Sequence, residues 1–137
     1  MIYQASIEIN APASKVWSLL TSVAAQNQWN TTILKLEGEF KLGGRLTFLT
    51  KVAPKQPFKV VVKEFAKNHM ILTGGMPLGL FRGNRSFRVT ALSDGRTKFE
   101  THEVFSGPLV GLMRKVMPDL QPSFDEFARD LKIASER

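Results

Sequence analysis

Residues 107–137 constrain the fold of this chain more than any other segment. Their apolar side chains recur at steps of three and four residues, at Leu109, Met113, Val116, Leu120, Phe124, Phe127, Leu131 and Ala134. This spacing is that of one face of an α-helix. A long helix with one apolar face must pack against another element, so we expect it to cover a sheet or to form an interface.

Two prolines interrupt this helical pattern. Pro118 and Pro122 each remove a backbone donor and clash with the preceding turn, which predicts a break or kink between Met117 and Ser123. Ser123 and Glu126 have the spacing of a capping box, so we expect the helix to begin again just after Pro122. The segment should form a short helix followed by a longer one.

Most of the preceding chain has the pattern of β-strands. Alternating or β-branched apolar residues predict seven strands, at residues 3–10, 33–40, 45–52, 58–65, 70–73, 81–92 and 97–105. Between the first two strands, Pro12 predicts the start of a helix, and residues 26–30 are predicted to form a polar loop around Trp29. The order strand, helix, six strands and terminal helix is that of an α+β fold.

The last two predicted strands form a hairpin whose register follows from its loop. In the loop Ser93-Asp94-Gly95, the glycine stands where a three-residue hairpin loop needs a positive φ. This register predicts three facing pairs, which are Arg85 with Glu103, Phe87 with Thr101, and Val89 with Phe99. Arg85 and Glu103 then lie opposite each other on an apolar face. Because an unpaired charge is costly there, we expect the two groups to be linked or hydrated.

Composition and charge narrow the functional classes. The chain has 137 residues, 43% hydrophobic and 23% charged, which fits one domain over residues 1–137. It has no cysteine, which excludes disulfides and thiolate catalysis. The net charge of +7 comes from scattered lysines and arginines, so we expect a basic surface and no nucleic-acid partner. Because no membrane-length apolar run and no signal-peptide pattern occur, we predict a cytoplasmic protein without stable membrane insertion.

Several short motifs in this order of elements resemble the START-like, polyketide cyclase/dehydrase and lipid-transport superfamily, also called SRPBCC. They lie at residues 11–17, 29–30, 37–46, 103–107 and 127–132. The resemblance implies the helix-grip fold, in which a curved antiparallel sheet of about seven strands wraps around a long C-terminal helix and encloses a cavity. Members of this superfamily bind lipids, sterols, plant hormones or polyketides, and a minority are enzymes. Relatives often carry histidines near the inward positions of Arg85 and Thr101, which argues against transferring their acid–base mechanism.

The candidate ligand-binding residues are those expected to face such a cavity. They are Trp29, Phe48, Arg85, Phe87, Phe99, Thr101, Glu103, Met113, Met117 and Phe124. Arg85 either anchors a ligand carboxylate or phenolate, oriented by Glu103, or forms a structural ion pair with it. Trp29 either guards the mouth of the cavity or packs at the edge of the core. Sequence alone leaves both alternatives open, because the same apolar residues can line a cavity or fill a closed core.

No catalytic set emerges from the sequence. The two histidines, His69 and His102, have no partner at metal-ligand spacing, and residues 74–79 lack the context of a phosphate loop, so we expect neither a metal nor a cofactor. Glu103 is the weak candidate for a catalytic acid or base. The leading hypothesis is binding of a small hydrophobic or amphipathic molecule. The alternatives are a polyketide cyclase or dehydratase that uses Glu103, and a protein-binding module such as a chaperone regulator.

Overall fold

The computed structural model describes residues 1–137 and contains seven strands and four α-helices. The strands are β1 (Ile2–Ile9), β2 (Ile33–Gly38), β3 (Arg45–Thr50), β4 (Phe58–Ala66), β5 (His69–Gly75), β6 (Arg82–Ala91) and β7 (Thr97–Ser106). The helices are α1 (Ala13–Leu20), α2 (Val23–Trp29), α3 (Val110–Val116) and α4 (Gln121–Ser135), with a 3₁₀ turn at Pro77–Gly79. The predicted α+β class and helix-grip architecture are confirmed.

All seven strands form one antiparallel sheet in the order β1-β7-β6-β5-β4-β3-β2. Strands β2 to β7 each pair with their neighbours in sequence, so this part of the sheet is a meander of hairpins. Strand β1 instead pairs with β7, for example through Ile7 opposite Phe99. The α1–α2 pair fills the connection between β1 and β2, and α4 lies against β1 and α1.

The predicted register of the last hairpin is confirmed. Arg85 faces Glu103, Phe87 faces Thr101 and Val89 faces Phe99, and the loop between β6 and β7 has Gly95 at a φ of 84°. Since side chains alternate along a strand, these six residues share one face of the sheet. This inner face is the one that the helices cover.

The predicted interruption of the C-terminal helix is also confirmed. Helix α3 ends at Val116, and Met117 is extended at a φ of −78° and a ψ of 143°. Helix α4 begins at Gln121, so Pro122 lies in its first turn and Ser123 is not its cap. The capping-box prediction was wrong because a proline in the first turn lacks only a donor that has no helical partner there, so the helix begins before Pro122.

The predicted loop at residues 26–30 was wrong, because most of it belongs to α2. The hydroxyl of Ser22 caps this helix by accepting a bond of 3.1 Å from the amide of Ala25. Gln26 is buried, and its amide group donates to the carbonyl of Leu20 at 2.6 Å and accepts from Asn30 at 3.0 Å. A buried polar residue therefore occupies the inward side of α2, which hides the apolar period that identifies a helix in a sequence.

One aromatic cluster lies at the centre of the main core. Phe127 of α4 packs with ring-centroid distances of 5.2 Å to Trp29, 5.9 Å to Phe87 and 6.0 Å to Phe99. A smaller apolar cluster is formed by Leu36 of β2, Leu46 of β3 and Val62 of β4. None of the helices is both long enough and apolar enough to cross a membrane.

Candidate functional site

The inner face of the sheet has a closed half and a more open half. In the closed half, Phe87 and Phe99 are buried beneath Phe127. In the other half, five inward side chains on neighbouring strands are only half-buried, although Leu46 and Val62 beside them are buried. The five are Phe48, Val60, Leu72, Arg85 and Glu103, placed on one face by the strand registers. Solvent therefore reaches part of the apolar inner face, next to the only two charged side chains of this set.

The guanidinium of Arg85 is held in place by a single hydrogen bond. Its Nε donates to the hydroxyl oxygen of Thr101 at 2.9 Å, and that hydroxyl donates onward to the carbonyl of Ser86 at 3.0 Å. Because the proton of Thr101 is directed at Ser86, a lone pair of the oxygen is left to accept from Arg85. Thr101 is thus an orienting group for Arg85 and is itself 1% exposed.

Aromatic rings surround the guanidinium of Arg85. Its central carbon lies 4.0 Å from the ring centroid of Phe124, 4.7 Å from that of Phe87 and 4.9 Å from that of Phe127. Such cation–π contacts stabilise a desolvated cation without neutralising its charge. Nη2 is inaccessible to solvent and has no hydrogen-bond partner. The site therefore holds a positive charge whose terminal donors are unused by the protein.

Of the two arrangements expected for Arg85 and Glu103, a direct link or hydration, the direct link does not form. The two residues face each other in the register, yet no pair of their charged atoms lies within the 4.0 Å of a salt bridge. One oxygen of Glu103 instead lies over Gly83, 2.6 Å from where a β-carbon of that residue would stand. The ring of Phe105 lies over the same glycine, at 2.9 Å from that position. The missing side chain at Gly83 provides the space into which Glu103 turns.

Burial shifts both ionisable groups toward their neutral forms. Desolvation lowers the pKa of Arg85 to about 10, although the charge of Glu103 raises it in part. Desolvation raises the pKa of the Glu103 carboxyl, and the charge of Arg85 opposes that shift. Arg85 therefore remains a cation at neutral pH, whereas Glu103 becomes a weaker acid than an exposed glutamate.

The other predicted site residues lie in different surroundings. Trp29 is the last residue of α2, and its indole nitrogen donates to the carbonyl of Leu19 at 3.0 Å, so it packs into the core. Phe124 is buried and contacts both Arg85 and Tyr3, whose ring lies 5.7 Å away. Met113 and Met117 are half-buried on and just after α3. The ligand-binding roles of all these residues stay predictions.

Two surface concavities border this site, one through Val60 and the other through Thr101. One, of about 340 Å³, crosses β3 and β4 and is lined by Arg45, Leu46, Thr47, Lys59, Val60 and Val61. The other, of about 600 Å³, lies along β1 and β7 and is lined by Gln4, Ala5, Ser6, Lys98, Glu100, Thr101, His102 and Asp125. Both are open to solvent, and neither contains Arg85 or Glu103. No group of three or more histidine, aspartate or glutamate side chains lies close enough together to hold a metal ion.

One contributor to the site, Gly83, was missed in the sequence, and the positioning role of another, Thr101, was not predicted. Gly83 gave no signal, because its role depends on side chains from the neighbouring strand. Thr101 was assigned to the cavity wall and not to the positioning of Arg85. Its signal was present in the register, since residues opposite and diagonal to each other on one face of a sheet are neighbours.

Solved structures share this fold at low sequence identity. A START superfamily protein from Mycobacterium smegmatis is 16% identical, with a TM-score of 0.74 over 98% of this chain and 97% of that one. The Zhui aromatase/cyclase from Streptomyces sp. R1128 is 14% identical, with a TM-score of 0.78 over 100% and 94%. Norcoclaurine synthase from Thalictrum flavum, in complex with dopamine and hydroxybenzaldehyde, is 11% identical, with a TM-score of 0.70 over 98% and 85%.

Sequence comparison identifies the family. No curated protein matches the chain. The model of the family described as polyketide cyclase / dehydrase and lipid transport matches residues 2–136. This match agrees with the resemblance in the sequence motifs and with the helix-grip fold. The chain therefore belongs to the polyketide cyclase/dehydrase and lipid transport family.

Proposed function

We propose that this protein binds a small hydrophobic or amphipathic molecule between the inner face of the sheet and the C-terminal helices, with Arg85 and Glu103 orienting its polar end. The observation that carries this proposal is the unused Nη2 of Arg85, enclosed by aromatic rings. A buried donor without an acceptor is costly, and a ligand that supplies the acceptor removes that cost. Apolar pockets with a few convergent polar groups are the usual form of such sites.

The open half of the inner face supports the same proposal. Leu72, opposite Arg85, keeps part of its apolar surface exposed, as do Val60 and Phe48 on the next two strands. A ligand that covers this surface gains about 25 cal/mol for each Å² of apolar area removed from water. The solved norcoclaurine synthase holds two small aromatic molecules, which supports this class of ligand for the fold without naming the ligand of this chain.

Uptake of Nile red, an uncharged fluorescent probe, tests the proposal. We expect the unmodified protein to bind the probe, and Met117→Trp to block it with little loss of stability, because the indole would occupy open space. The matched control is Leu112→Trp on exposed α3, which should leave uptake unchanged. No uptake by the unmodified protein, together with an overpacking loss of about 1–3 kcal/mol in Met117→Trp, would favour the protein-binding module instead.

A second candidate function is catalysis by Glu103. Burial raises the pKa of this carboxyl, and no salt bridge fixes it in the ionised form. A carboxyl poised nearer neutral pH is suited to acid–base work in a cyclisation or dehydration. Turnover of a polyketide-like substrate by the unmodified protein, lost in Glu103→Gln while binding persists, would establish this activity. Binding without turnover leaves the protein as a carrier or sensor.

Three predictions from the sequence accompany this proposal. The chain acts as one START-like domain over residues 1–137, it acts in the cytoplasm, and its partner is a small molecule and not a nucleic acid. The last is supported by the scattered distribution of the basic residues. Fractionation of cells that express the tagged full chain tests the location.

A further inference from the structure

We propose that the polar end of the ligand is a carboxylate that binds the terminal nitrogens of Arg85, so that the ligand is a monocarboxylic acid with an apolar body. This inference rests on the proposed ligand-binding function and adds the chemical class. Three features of the site support a carboxylate: the side from which Arg85 can be reached, the charge of the site and the geometry of its donors.

The contacts of Arg85 leave one direction of approach. The ring centroids of Phe87, Phe124 and Phe127 lie within 4.9 Å of the central carbon, so aromatic side chains crowd the guanidinium. Thr101 takes the Nε–H. The edge that carries Nη1 and Nη2 has no hydrogen bond to the protein. An acceptor must therefore reach the group at its terminal edge, where the unused donors lie.

The charge of the site favours an anion. Glu103, the one acidic side chain that faces Arg85 across the strand pair, is turned toward Gly83 and makes no salt bridge with it. The whole chain carries 19 lysines and arginines against 12 aspartates and glutamates, so its net charge also attracts anions. A neutral acceptor would satisfy the hydrogen bonds of Arg85 but would leave its buried charge only partly compensated, by Glu103.

The geometry of the donors favours a carboxylate over a phenolate, which offers only one oxygen. The two terminal nitrogens of a guanidinium present parallel N–H donors, which match the two oxygens of one carboxylate in a bidentate pair. Binding at Nη1 comes first, because Nη2 is sealed from solvent. The second bond then requires the side chains that cover Nη2 to move aside, so we expect them to shift when the acid binds.

Paired probes that differ only in charge test this inference. The pairs are 2-naphthoate with 2-naphthamide, and octanoate with octanamide, titrated by calorimetry into the full chain at neutral pH. We expect each acid to bind about ten- to a hundredfold more tightly than its amide, the range typical of hydrogen bonds to charged groups. Arg85→Met should abolish this preference. The matched control Arg88→Met removes an exposed arginine of the same strand, and it should retain the preference.

The outcomes separate this inference from the function on which it rests. Equal binding of acid and amide overturns the carboxylate assignment while the binding function stands. If no probe of either pair binds, both the carboxylate assignment and the binding function are overturned. If Arg85→Met fails to fold, because Glu103 is left as a lone buried charge, the double variant Arg85→Met/Glu103→Gln replaces it. A preference for the acid that survives in a folded Arg85 variant also overturns the assignment.

Discussion

Arg85 and Glu103 lie directly opposite each other on β6 and β7, and yet no guanidinium nitrogen approaches the carboxylate within 4.0 Å. Arg85 is instead held by Thr101 and aromatic rings, and Glu103 lies over Gly83. Two ionisable groups in one apolar site are thus held apart, which leaves each one able to contact a ligand.

The first prediction concerns the pH dependence of stability at Glu103. Burial raises the pKa of this carboxyl above the ordinary value of 4.5, so the folded state binds its proton more tightly than the unfolded state does. Stability from this group is therefore present at low pH and is lost as the pH rises from 4.5 through the raised pKa. Glu103→Gln stays neutral and should gain stability relative to the unmodified protein over that window.

Urea denaturation of both proteins at about pH 4 and about pH 8 measures this difference. Comparing the two proteins removes the contributions of Glu126 and Glu136, whose pKa values are lowered mainly by hydrogen bonds from Thr31 and Lys132. A difference in stability that is the same at both pH values would show that Glu103 has an ordinary pKa.

The second prediction concerns the bridge through Thr101. Thr101→Val keeps the shape of the side chain but removes both the acceptor for Arg85 and the donor to Ser86. Because buried polar groups are left without partners, we expect a loss of about 1–3 kcal/mol in the free energy of unfolding. The control Thr90→Val lies exposed on the outer face of β6 and should change stability by less than about 0.5 kcal/mol. Equal effects of the two substitutions would contradict the bridging role.

The third prediction concerns the space above Gly83. In Gly83→Ala the new β-carbon would stand 2.6 Å from a Glu103 oxygen and 2.9 Å from the Phe105 ring, so both side chains must shift. We expect a loss of about 1–3 kcal/mol from overpacking. Gly111→Ala is the control, because nothing lies within 4 Å of its β-carbon position in α3, and it should gain about 1 kcal/mol from helix propensity. Unchanged stability of Gly83→Ala in thermal unfolding would contradict this packing.

Periodic and local signals made much of the fold predictable. The loop at Gly95 gave the register that places Arg85 opposite Glu103, and Pro118 gave the interruption before α4. The predictions that failed depended on side-chain hydrogen bonds, which a periodic pattern does not show. Gln26 is polar, and polarity alone predicts an exposed side chain. It is buried because its amide group donates to the carbonyl of Leu20.

The candidate site was predictable as a set of residues but not as an arrangement. Opposite charges on one face suggested a direct link or hydration, but the rotamer of Glu103 depends on the room above Gly83, a residue of the adjacent strand. Burial of Trp29 in the core likewise follows from α2, which the sequence pattern concealed. Side-chain direction within a correct register is decided by packing volume, which periodicity does not encode.

The fourth prediction tests the central claim most directly, through the methyl resonances of the five methionines during titration with 2-naphthoate. Met113 and Met117 are half-buried on and just after α3, Met70 is sealed in the core, and Met76 lies in an exposed loop. We expect saturable shifts at Met113 and Met117, because the aromatic ring of the ligand lies against them, with Met70 and Met76 unchanged. Shifts confined to Met1 and Met76, or no shift at any methionine, would contradict binding between the sheet and the C-terminal helices.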